Sequence, residues 1–517
     1  MSERKVRTRF APSPTGPLHI GGVRTALFAW LFAKSQGGEF LLRIEDTDQT
    51  RFVPGAEEYI IEALNWCGIK IDEGVSLGGH YAPYRQSERK GLGMYKKYAE
   101  QLISGGFAYY AFDTAEELDA ERKKAESSGS SFSYGYENRP RLKNSISLSQ
   151  EETERKLLNN DPCVIRLLVP ENEEVVFNDL IRGEVIFHTS TVDDKVLLKS
   201  DGMPTYHLAH LVDDYLMDIT HAIRGEEWLP SAPAHILLYQ YLGWLDKMPQ
   251  YAHLPLLLKP EGNGKLSKRD GDKLGFPVFP LEWKDPVTGE ISSGYREKGY
   301  YPEAFINMLA LLGWNPGSEQ EIFSLEELAA IFSFDHVHKA GARFDPEKAK
   351  WFNEQYLKKK SEQELADRLK VSAKLKFGFL DDDMRLSNTF LIRCVHLLKE
   401  RVQFENEFTE KGNYLFTAPL TYDQAVIAKR WKPDYIPFFN QVKDGLLLLT
   451  DYSSAQAENC IKETASKNNI KPGEVFPLLR VIISGQSNGV DMFPMLELLG
   501  QKEVVLRIEN GLAAMPS

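Results

Sequence analysis

The stretch RFAPSPTGPLHIGGVR, residues 9–24, decides how the chain begins to fold. A short β-prone run at residues 6–10 leads into it, and three prolines then prevent regular strand pairing and stiffen the connection. From Val23 the apolar residues recur at helical spacing and surround the helix on nearly all sides. The sequence therefore predicts a strand, a rigid turn and a buried helix.

Two glycines, Gly21 and Gly22, stand at the predicted start of this helix. Free backbone N–H groups and the positive end of the helix dipole favour a phosphate there, and missing side chains let it approach closely. His19 precedes them and can donate to the same anion. The dipole supplies only about 0.3–1 kcal/mol, so we expect cations from elsewhere in the chain. A Gly-Gly pair alone equally fits a simple turn.

A second stretch, GKLSKR at residues 264–269, brings three cations and a hydroxyl next to a glycine, and its flanking residues predict a mobile loop. A basic loop alone is usually solvated surface. Together, however, the two stretches resemble the paired signatures of class I aminoacyl-tRNA synthetases, His-Ile-Gly-His and Lys-Met-Ser-Lys-Ser. The replacements Gly22, Leu266 and Arg269 resemble the glutamate branch of that class, the bacterial-type glutamyl-tRNA synthetases.

The opening order of strand, helix and strand predicts parallel pairing and a Rossmann-like sheet. With the resemblance, the predicted fold class is α/β: a Rossmann-like parallel sheet catalytic domain with an α+β insertion, followed by helical stem-contact and all-α anticodon-binding domains. The predicted limits are 1–104 and 191–271 for the two halves of the catalytic domain, 105–190 for the acceptor-end insertion, 272–375 for the stem-contact domain with an irregular insertion at 272–300, and 376–517 for the anticodon-binding domain.

Local patterns add detail to this plan. Strands of the acceptor-end insertion are expected at residues 164–169 and 184–187, and the parallel sheet is expected to resume at residues 195–199. Thr114 and Ser231 are expected to cap helices.

Composition suits an ordinary folded protein, with 517 residues, 42% of them hydrophobic and 11% aromatic. No apolar run reaches the roughly 18 residues that a membrane span needs. The first strand begins so close to Met1 that no room is left for a signal or transit peptide. We therefore expect a cytoplasmic protein without a membrane partner.

The formal net charge of −12 argues against a nucleic-acid partner, because phosphate binding needs basic surface. A local basic face remains possible, although such a run is more often a solvated helix face. Its members are Lys339, Arg343, Lys348, Lys350, Lys358, Lys359 and Lys360.

The four cysteines are far apart and show no Cys-x-x-Cys spacing, which favours reduced thiols over structural zinc. By resemblance, the zinc site of many bacterial relatives would begin at Ala111 and Asp113, so no zinc is expected.

The resemblance implies a site for ATP, with Mg²⁺ entering together with the nucleotide. A carboxylate nucleophile is already ionised, so adenylate formation needs positioning and charge neutralisation rather than a general base. His19, Lys265 and Lys268 are the implied catalytic residues, and Lys268 would stabilise the pentacovalent transition state. The implied ATP-binding residues are His19, Gly21, Gly22, Glu227, Trp228, Lys265, Ser267 and Lys268.

Selection of glutamate requires a cation for its side-chain carboxylate and an anion for its ammonium group. Arg9 and Arg224 lie at or near predicted strand ends and can make forked pairs, and Glu45 can take the ammonium. An internal ion-pair set of these three residues is the alternative. The resemblance implies the pocket residues Arg9, Ala11, Ser13, Glu45, Tyr206, His210 and Arg224.

The implied function is ligation of L-glutamate to tRNA(Glu) by a monomer, through a glutamyl-adenylate. Alternatives are a non-discriminating enzyme that also charges tRNA(Gln), a non-catalytic tRNA-binding paralogue, a shortened relative that glutamylates queuosine in tRNA, and a nucleotidyltransferase of the same superfamily. The last two lack the helical C-terminal region expected at residues 376–517.

Overall fold

The computed structural model describes residues 4–516. The described chain divides into two compact units, one made of residues 4–298 and Pro302–Ala349, the other of Gly299–Tyr301 and residues 350–516. None of the helices within residues 4–516 is both long enough and apolar enough to cross a lipid bilayer.

The first unit is built around a seven-stranded sheet. Its strands lie in the order Glu73–Gly74, Glu39–Leu42, Arg7–Phe10, His221–Gly225, Gln250–Leu254, Glu174–Asp179 and Gly183–His188. The first six run parallel, and the last is antiparallel to its neighbour. The predicted Rossmann-like parallel sheet is confirmed.

The strand Arg7–Phe10 lies inside this sheet with all four residues buried, as is typical of a parallel strand covered by helices. Helix Ile20–Ser35 follows it and buries most of its 16 residues. The chain next forms the neighbour on one side, Glu39–Leu42, and much later the neighbour on the other, His221–Gly225. In such sheets ligands bind at the carboxyl ends of the strands where the order reverses.

A separate three-stranded antiparallel sheet corrects two strand predictions. It consists of Ala108–Ala111, Val164–Leu167 and Val196–Leu198. The expectation that residues 195–199 resume the parallel sheet is therefore wrong. The strand expected at residues 184–187 exists as Gly183–His188, but it pairs at the edge of the main sheet with a strand that the sequence did not predict.

That unpredicted strand, Glu174–Asp179, alternates strictly between exposed and buried residues. Val175 and Phe177 enter the large hydrophobic core, and Glu174, Val176 and Asn178 face solvent. Alternation identifies a half-buried strand, but it contains no information about which sheet the strand joins.

The two predicted caps have different outcomes. Thr114 caps helix Ala115–Ser127 as predicted, because its side chain accepts from the Glu117 N–H and the Glu117 carboxylate accepts from the Thr114 N–H. Ser231 makes no side-chain cap on helix Ala232–Tyr241. It already has helical backbone angles, since it ends a 3-10 turn that runs directly into that helix.

The irregular segment expected at residues 272–300 includes a small antiparallel hairpin, Trp283–Lys284 with Ile291–Ser292. Tyr59 anchors the segment by donating from its hydroxyl to the Leu281 carbonyl at 2.6 Å. A further short sheet pairs Leu257–Leu258 with Ala342–Arg343. The remaining helices of the first unit are Ala56–Trp66, Gln86–Lys90, Met94–Ser104, Gln150–Leu158, Tyr206–Leu216, Lys268–Leu274, Pro302–Leu311 and Leu325–Ile331.

The second unit is helical, and no strand occurs in its described residues. The division between the units falls inside helix Pro346–Lys359. Helices wholly within the second unit are Glu362–Phe377, Asn388–Leu398, Glu407–Lys411, Asn413–Phe416, Gln424–Arg430, Ile436–Leu447, Ser454–Lys467, Pro472–Ser484, Met492–Leu499 and Gln501–Ala514. The prediction of an α/β region followed by an all-α region is confirmed.

Candidate active site

Two adjoining cavities lie where the strands Arg7–Phe10 and His221–Gly225 end. The larger has a volume of about 520 Å³. Of the residues predicted to bind ATP, it is lined by His19, Gly21, Gly22, Glu227 and Lys265. The smaller cavity, of about 260 Å³, shares Gly21, Gly22 and Glu227 with it. The structure thus brings the first signature stretch and part of the second to one place.

His19 caps helix Ile20–Ser35 with its own ring. Its Nδ1 atom accepts a hydrogen bond from the Gly21 N–H at 3.2 Å. Burial and the nearby charge of Lys265 lower the pKa of His19 to about 4, so the ring is neutral and its proton is on Nε2. Nε2 is buried and has no partner among the described residues. It is therefore a donor available to an anion in the larger cavity.

The prediction of free glycine N–H groups at this helix start is wrong. The Gly21 N–H is bound by the ring of His19, and the Gly22 N–H donates to the His19 carbonyl at 2.8 Å. Gly22 also has a packing role, because a Cβ atom there would lie 2.5 Å from Leu18. The side chains of His19 and Lys265 replace backbone groups as the donors that an anion meets.

The second signature stretch is only partly a loop. Lys265 lines the larger cavity, and its Nζ lies 3.0 Å from Glu227 Oε1. Ser267 caps helix Lys268–Leu274 together with Asp270, so the expectation of a loop is wrong from Lys268 onward. Neither Ser267 nor Lys268 is among the described residues that line the two cavities.

The smaller cavity collects all seven residues predicted to bind glutamate. They are Arg9, Ala11, Ser13, Glu45, Tyr206, His210 and Arg224. Trp228, predicted to bind ATP, lines this cavity rather than the larger one and packs on Tyr206 with 4.2 Å between ring centroids.

The ion pairs in the smaller cavity differ from the internal ion-pair set of Arg9, Arg224 and Glu45 that the sequence left open as an alternative. Arg9 Nε lies 3.0 Å from Asp214 Oδ1, and Glu45 Oε1 accepts from Arg43 at 2.9 Å. Arg224 makes no ion pair with any described carboxylate, although only 5% of the residue is exposed. The hypothesis that Arg9, Arg224 and Glu45 pair with one another is therefore wrong.

Glu45 is ionised in this cavity. Burial alone raises its pKa, but the hydrogen bond to His210 and the charge of Arg43 outweigh burial and lower that pKa below its ordinary value. Burial lowers the pKa of His210, so its ring is neutral between the carboxylates of Glu45 and Asp214. The cavity thus offers a carboxylate at Glu45 and an unneutralised guanidinium at Arg224.

Family comparison agrees with this arrangement. The sequence family described as tRNA synthetases class I (E and Q), catalytic domain, matches residues 5–351. The chain belongs to the class I tRNA synthetases (E and Q). A second family, described as anticodon binding domain, matches residues 350–512. The resemblance inferred from the two signature stretches is confirmed.

Class I tRNA synthetases similar to this chain match it along its whole length. A glutamate–tRNA ligase of Flavobacterium johnsoniae is 53% identical over 514 residues, covering 99% of this chain and 100% of that protein. A glutamate–tRNA ligase of Porphyromonas gingivalis is 50% identical, with 100% of both covered. The crystal structure of a glutamate tRNA ligase from Elizabethkingia meningosepticum in complex with its amino acid is 48% identical, with a TM-score of 0.94, covering 99% of this chain and 100% of that chain.

Sequence reasoning about this class I synthetase missed Arg43 and Asp214, which form the ion pairs behind the smaller cavity. Both had a signal. Arg43 stands two residues before Glu45, and Asp214 stands four residues after His210 on helix Tyr206–Leu216. A charged residue in an apolar helix or strand needs a partner when it is buried.

Within residues 4–516, no group of three or more His, Cys, Asp or Glu side chains is arranged to hold a metal ion.

Proposed function

We infer that this chain ligates L-glutamate to tRNA in two steps, ATP-dependent formation of glutamyl-adenylate and then transfer of the glutamyl group to the 3'-terminal ribose of tRNA. One observation carries the inference: a buried cation without a counter-ion, Arg224, and an ionised Glu45 line a cavity that adjoins the one containing His19 and Lys265. The first pair matches the two ends of glutamate, and the second pair matches a phosphate. The relatives that cover the whole chain are named glutamate–tRNA ligases.

In the first step, an α-carboxylate oxygen of glutamate attacks the α-phosphorus of ATP, and pyrophosphate leaves. We assign the Nε2–H of His19, Lys265 and Lys268 to the phosphates, because developing charge is stabilised by donors placed in advance. Lys268 is assigned to the pentacovalent transition state. Mg²⁺ bound to the ATP oxygens would neutralise charge on the departing pyrophosphate, and no cluster of acidic or imidazole ligands among residues 4–516 would hold it apart from the nucleotide.

In the second step, a terminal ribose hydroxyl of tRNA attacks the adenylate carbonyl, the new ester forms, and AMP leaves. The hydroxyl proton passes to the departing phosphate or to water. Gly21, Gly22, Glu227, Trp228 and Ser267 complete the proposed nucleotide site.

Arg224 is assigned to the side-chain carboxylate of glutamate and Glu45 to its ammonium group. Arg9 is already paired with Asp214, so we give it a supporting role beside Ala11, Ser13, Tyr206 and His210. Glutamine would leave the Arg224 charge buried without a counter-ion, at a cost of roughly 3–5 kcal/mol. That penalty is large enough to exclude glutamine without a separate editing step.

The same proposal assigns the regions that contact tRNA, the location of the protein, its oligomeric state and its tRNA preference. The acceptor end of tRNA would meet residues 105–190, its stem residues 272–375, and its anticodon residues 376–517. A cytoplasmic location, a monomeric state and a preference for tRNA(Glu) complete it. The named relatives do not favour a non-catalytic paralogue or charging of tRNA(Gln).

Aminoacylation with purified tRNA(Glu) and tRNA(Gln), each with labelled glutamate and labelled glutamine, tests the function. We expect glutamate on tRNA(Glu) alone. Glutamate on both tRNAs would identify a non-discriminating enzyme, and no product with any pair would refute ligation of glutamate to tRNA. ATP–pyrophosphate exchange with tRNA present would then distinguish a blocked transfer step from a chain that does not activate glutamate.

A further inference from the structure

Arg224 is held by groups that carry no charge. Its Nε donates to His253 Nε2 at 2.9 Å, and its Nη1 lies 3.2 Å from His235 Nδ1. The Tyr251 ring lies 4.9 Å below the guanidinium carbon. Nη2 is buried and has no partner among the described residues. A buried cation normally has a counter-ion, so the missing one marks a place for an anionic ligand.

His253 is in turn held by Asp179. Its Nδ1 lies 2.6 Å from Asp179 Oδ2, and both residues are at most 1% exposed. Burial alone raises the pKa of Asp179, but the hydrogen bond from His253 contributes to lowering it below its ordinary value, so Asp179 is an ionised acceptor. Burial lowers the pKa of His253, so its ring is neutral. The single ring proton is therefore on Nδ1, which leaves Nε2 as an acceptor for Arg224.

The strands of the main sheet place this row of residues. His253 on Gln250–Leu254 lies directly opposite Arg224 on His221–Gly225. Asp179 ends the next strand and also accepts the backbone N–H groups of Ile181 and Arg182. Asp179 is thus fixed by the backbone, and the row of side chains crosses three adjacent strands.

We propose that Asp179 and His253 are positioning residues for glutamate, which orient the Arg224 guanidinium through a neutral imidazole and leave its charge for the substrate carboxylate. This inference rests on the function proposed above. A carboxylate in direct contact would orient Arg224 equally well, but it would neutralise the charge. Arg9, which Asp214 contacts directly, shows that other arrangement in the same cavity. His235 supports the neutral cradle, because burial lowers its pKa well below the ordinary value.

The test compares two replacements of His253 that differ in one acceptor. In His253→Gln the amide oxygen can occupy the position of Nε2 and accept from Arg224, whereas His253→Leu has no acceptor. We expect the leucine variant to raise the KM for glutamate by about 10- to 100-fold, since a hydrogen bond to a charged group is lost. The KM for ATP should stay within about twofold, and the glutamine variant should recover most of the loss.

Asp179→Asn tests the proton position separately. An amide N–H facing Nδ1 moves the ring proton to Nε2, where it confronts the donor on Arg224. We expect a rise in the KM for glutamate similar to that of His253→Leu. Tyr95→Phe is the matched control, because it removes another buried hydrogen bond, 2.9 Å to Asp213, from a residue on helix Met94–Ser104 that lines neither cavity.

All variants are measured as full chains by ATP–pyrophosphate exchange with tRNA(Glu), after thermal unfolding shows that they fold. Equal rises in the KM values for glutamate and ATP would overturn the proposal, as would an unchanged KM for glutamate in folded His253→Leu. If Asp179→Asn does not fold, the His253 pair decides alone. Failure of wild-type charging with glutamate would instead refute the proposed function, so the two failures are distinguishable.

Discussion

Lys268, from the second signature stretch, donates to Glu290 with 2.8 Å between Nζ and Oε1. Glu290 immediately precedes the second strand of the hairpin in the irregular segment at residues 272–300. Lys265 is engaged in the same way by Glu227 at 3.0 Å. Both signature lysines are therefore paired with carboxylates. Under the proposed function, a triphosphate has to displace both carboxylates. Residues 272–300, for which the sequence predicted no role, thus contact Lys268, the lysine proposed to stabilise the transition state.

Removing the negative charge at position 290 should help ATP bind. An exposed ion pair contributes about 0–1 kcal/mol, so we expect Glu290→Gln to lower the KM for ATP by up to about fivefold with kcat unchanged. The measurement is ATP–pyrophosphate exchange with tRNA present. Glu282→Gln removes a charge from the same segment without touching Lys268 and serves as control. An equal fall in the KM for ATP in both variants, or no fall in Glu290→Gln, would contradict competition between Glu290 and ATP for Lys268.

Loss of the Lys268 ammonium should abolish adenylate formation while leaving the fold intact. We expect Lys268→Ala to reduce kcat by at least about 10²- to 10³-fold, since it removes a donor aimed at charge developing in the transition state. Lys273→Ala, an exposed position on the same short helix, is the matched control. Near-normal exchange by Lys268→Ala would remove the catalytic assignment.

Local patterns predicted much of the site. Residues 9–24 form the expected turn and helix because proline spacing and apolar periodicity act over a few residues. The pocket residues from Arg9 to Arg224 line one cavity because strand ends in a parallel sheet meet at one edge. These inferences needed either a short-range signal or a topological rule.

Long-range partners were not predictable in the same way. Val196–Leu198 looks like any short apolar strand, and only the folded chain pairs it with Val164–Leu167. Asp179 lay on a strand that was not predicted, so its bond to His253 had no precursor in the sequence. Likewise, nothing near residue 268 indicated that residue 290 would return to contact it.

Arg224 should cost the protein stability in exchange for substrate binding, because its buried charge has no counter-ion among the described residues. Arg224→Met keeps much of the side-chain volume and removes the charge. We expect the KM for glutamate to rise by at least about 100-fold while the melting temperature stays the same or rises by about 2–4 °C. The KM for ATP should change far less.

Arg296→Ala, which removes an exposed arginine that pairs with Glu62, is the control for loss of positive charge. Equal rises in the KM values for glutamate and ATP in Arg224→Met would contradict a role for Arg224 in the amino-acid pocket. A fall of several degrees in its melting temperature would show that the guanidinium stabilises the fold.

Acidification should destabilise the chain through buried histidines. Burial and nearby cations lower the pKa values of His19, His207 and His221 to about 4. An unfolded histidine titrates near pH 6.5, so between about pH 6.5 and 4 the unfolded chain binds more protons than the folded chain. Stability therefore falls as the pH falls through this window, by up to about 1.4 kcal/mol per pH unit for each histidine.

Above pH 6.5 these three residues are neutral in both states and contribute no slope. We expect calorimetry to show a falling melting temperature from pH 7 to pH 5 and a shallower fall in His221→Gln, which has one fewer titrating group. His396→Gln, at an exposed position in the second unit, is the control. A slope in His221→Gln identical to that of the wild type would mean that the pKa of His221 is the same in the folded and unfolded chains, and is not lowered where the ring packs against Phe32 with 4.6 Å between ring centroids.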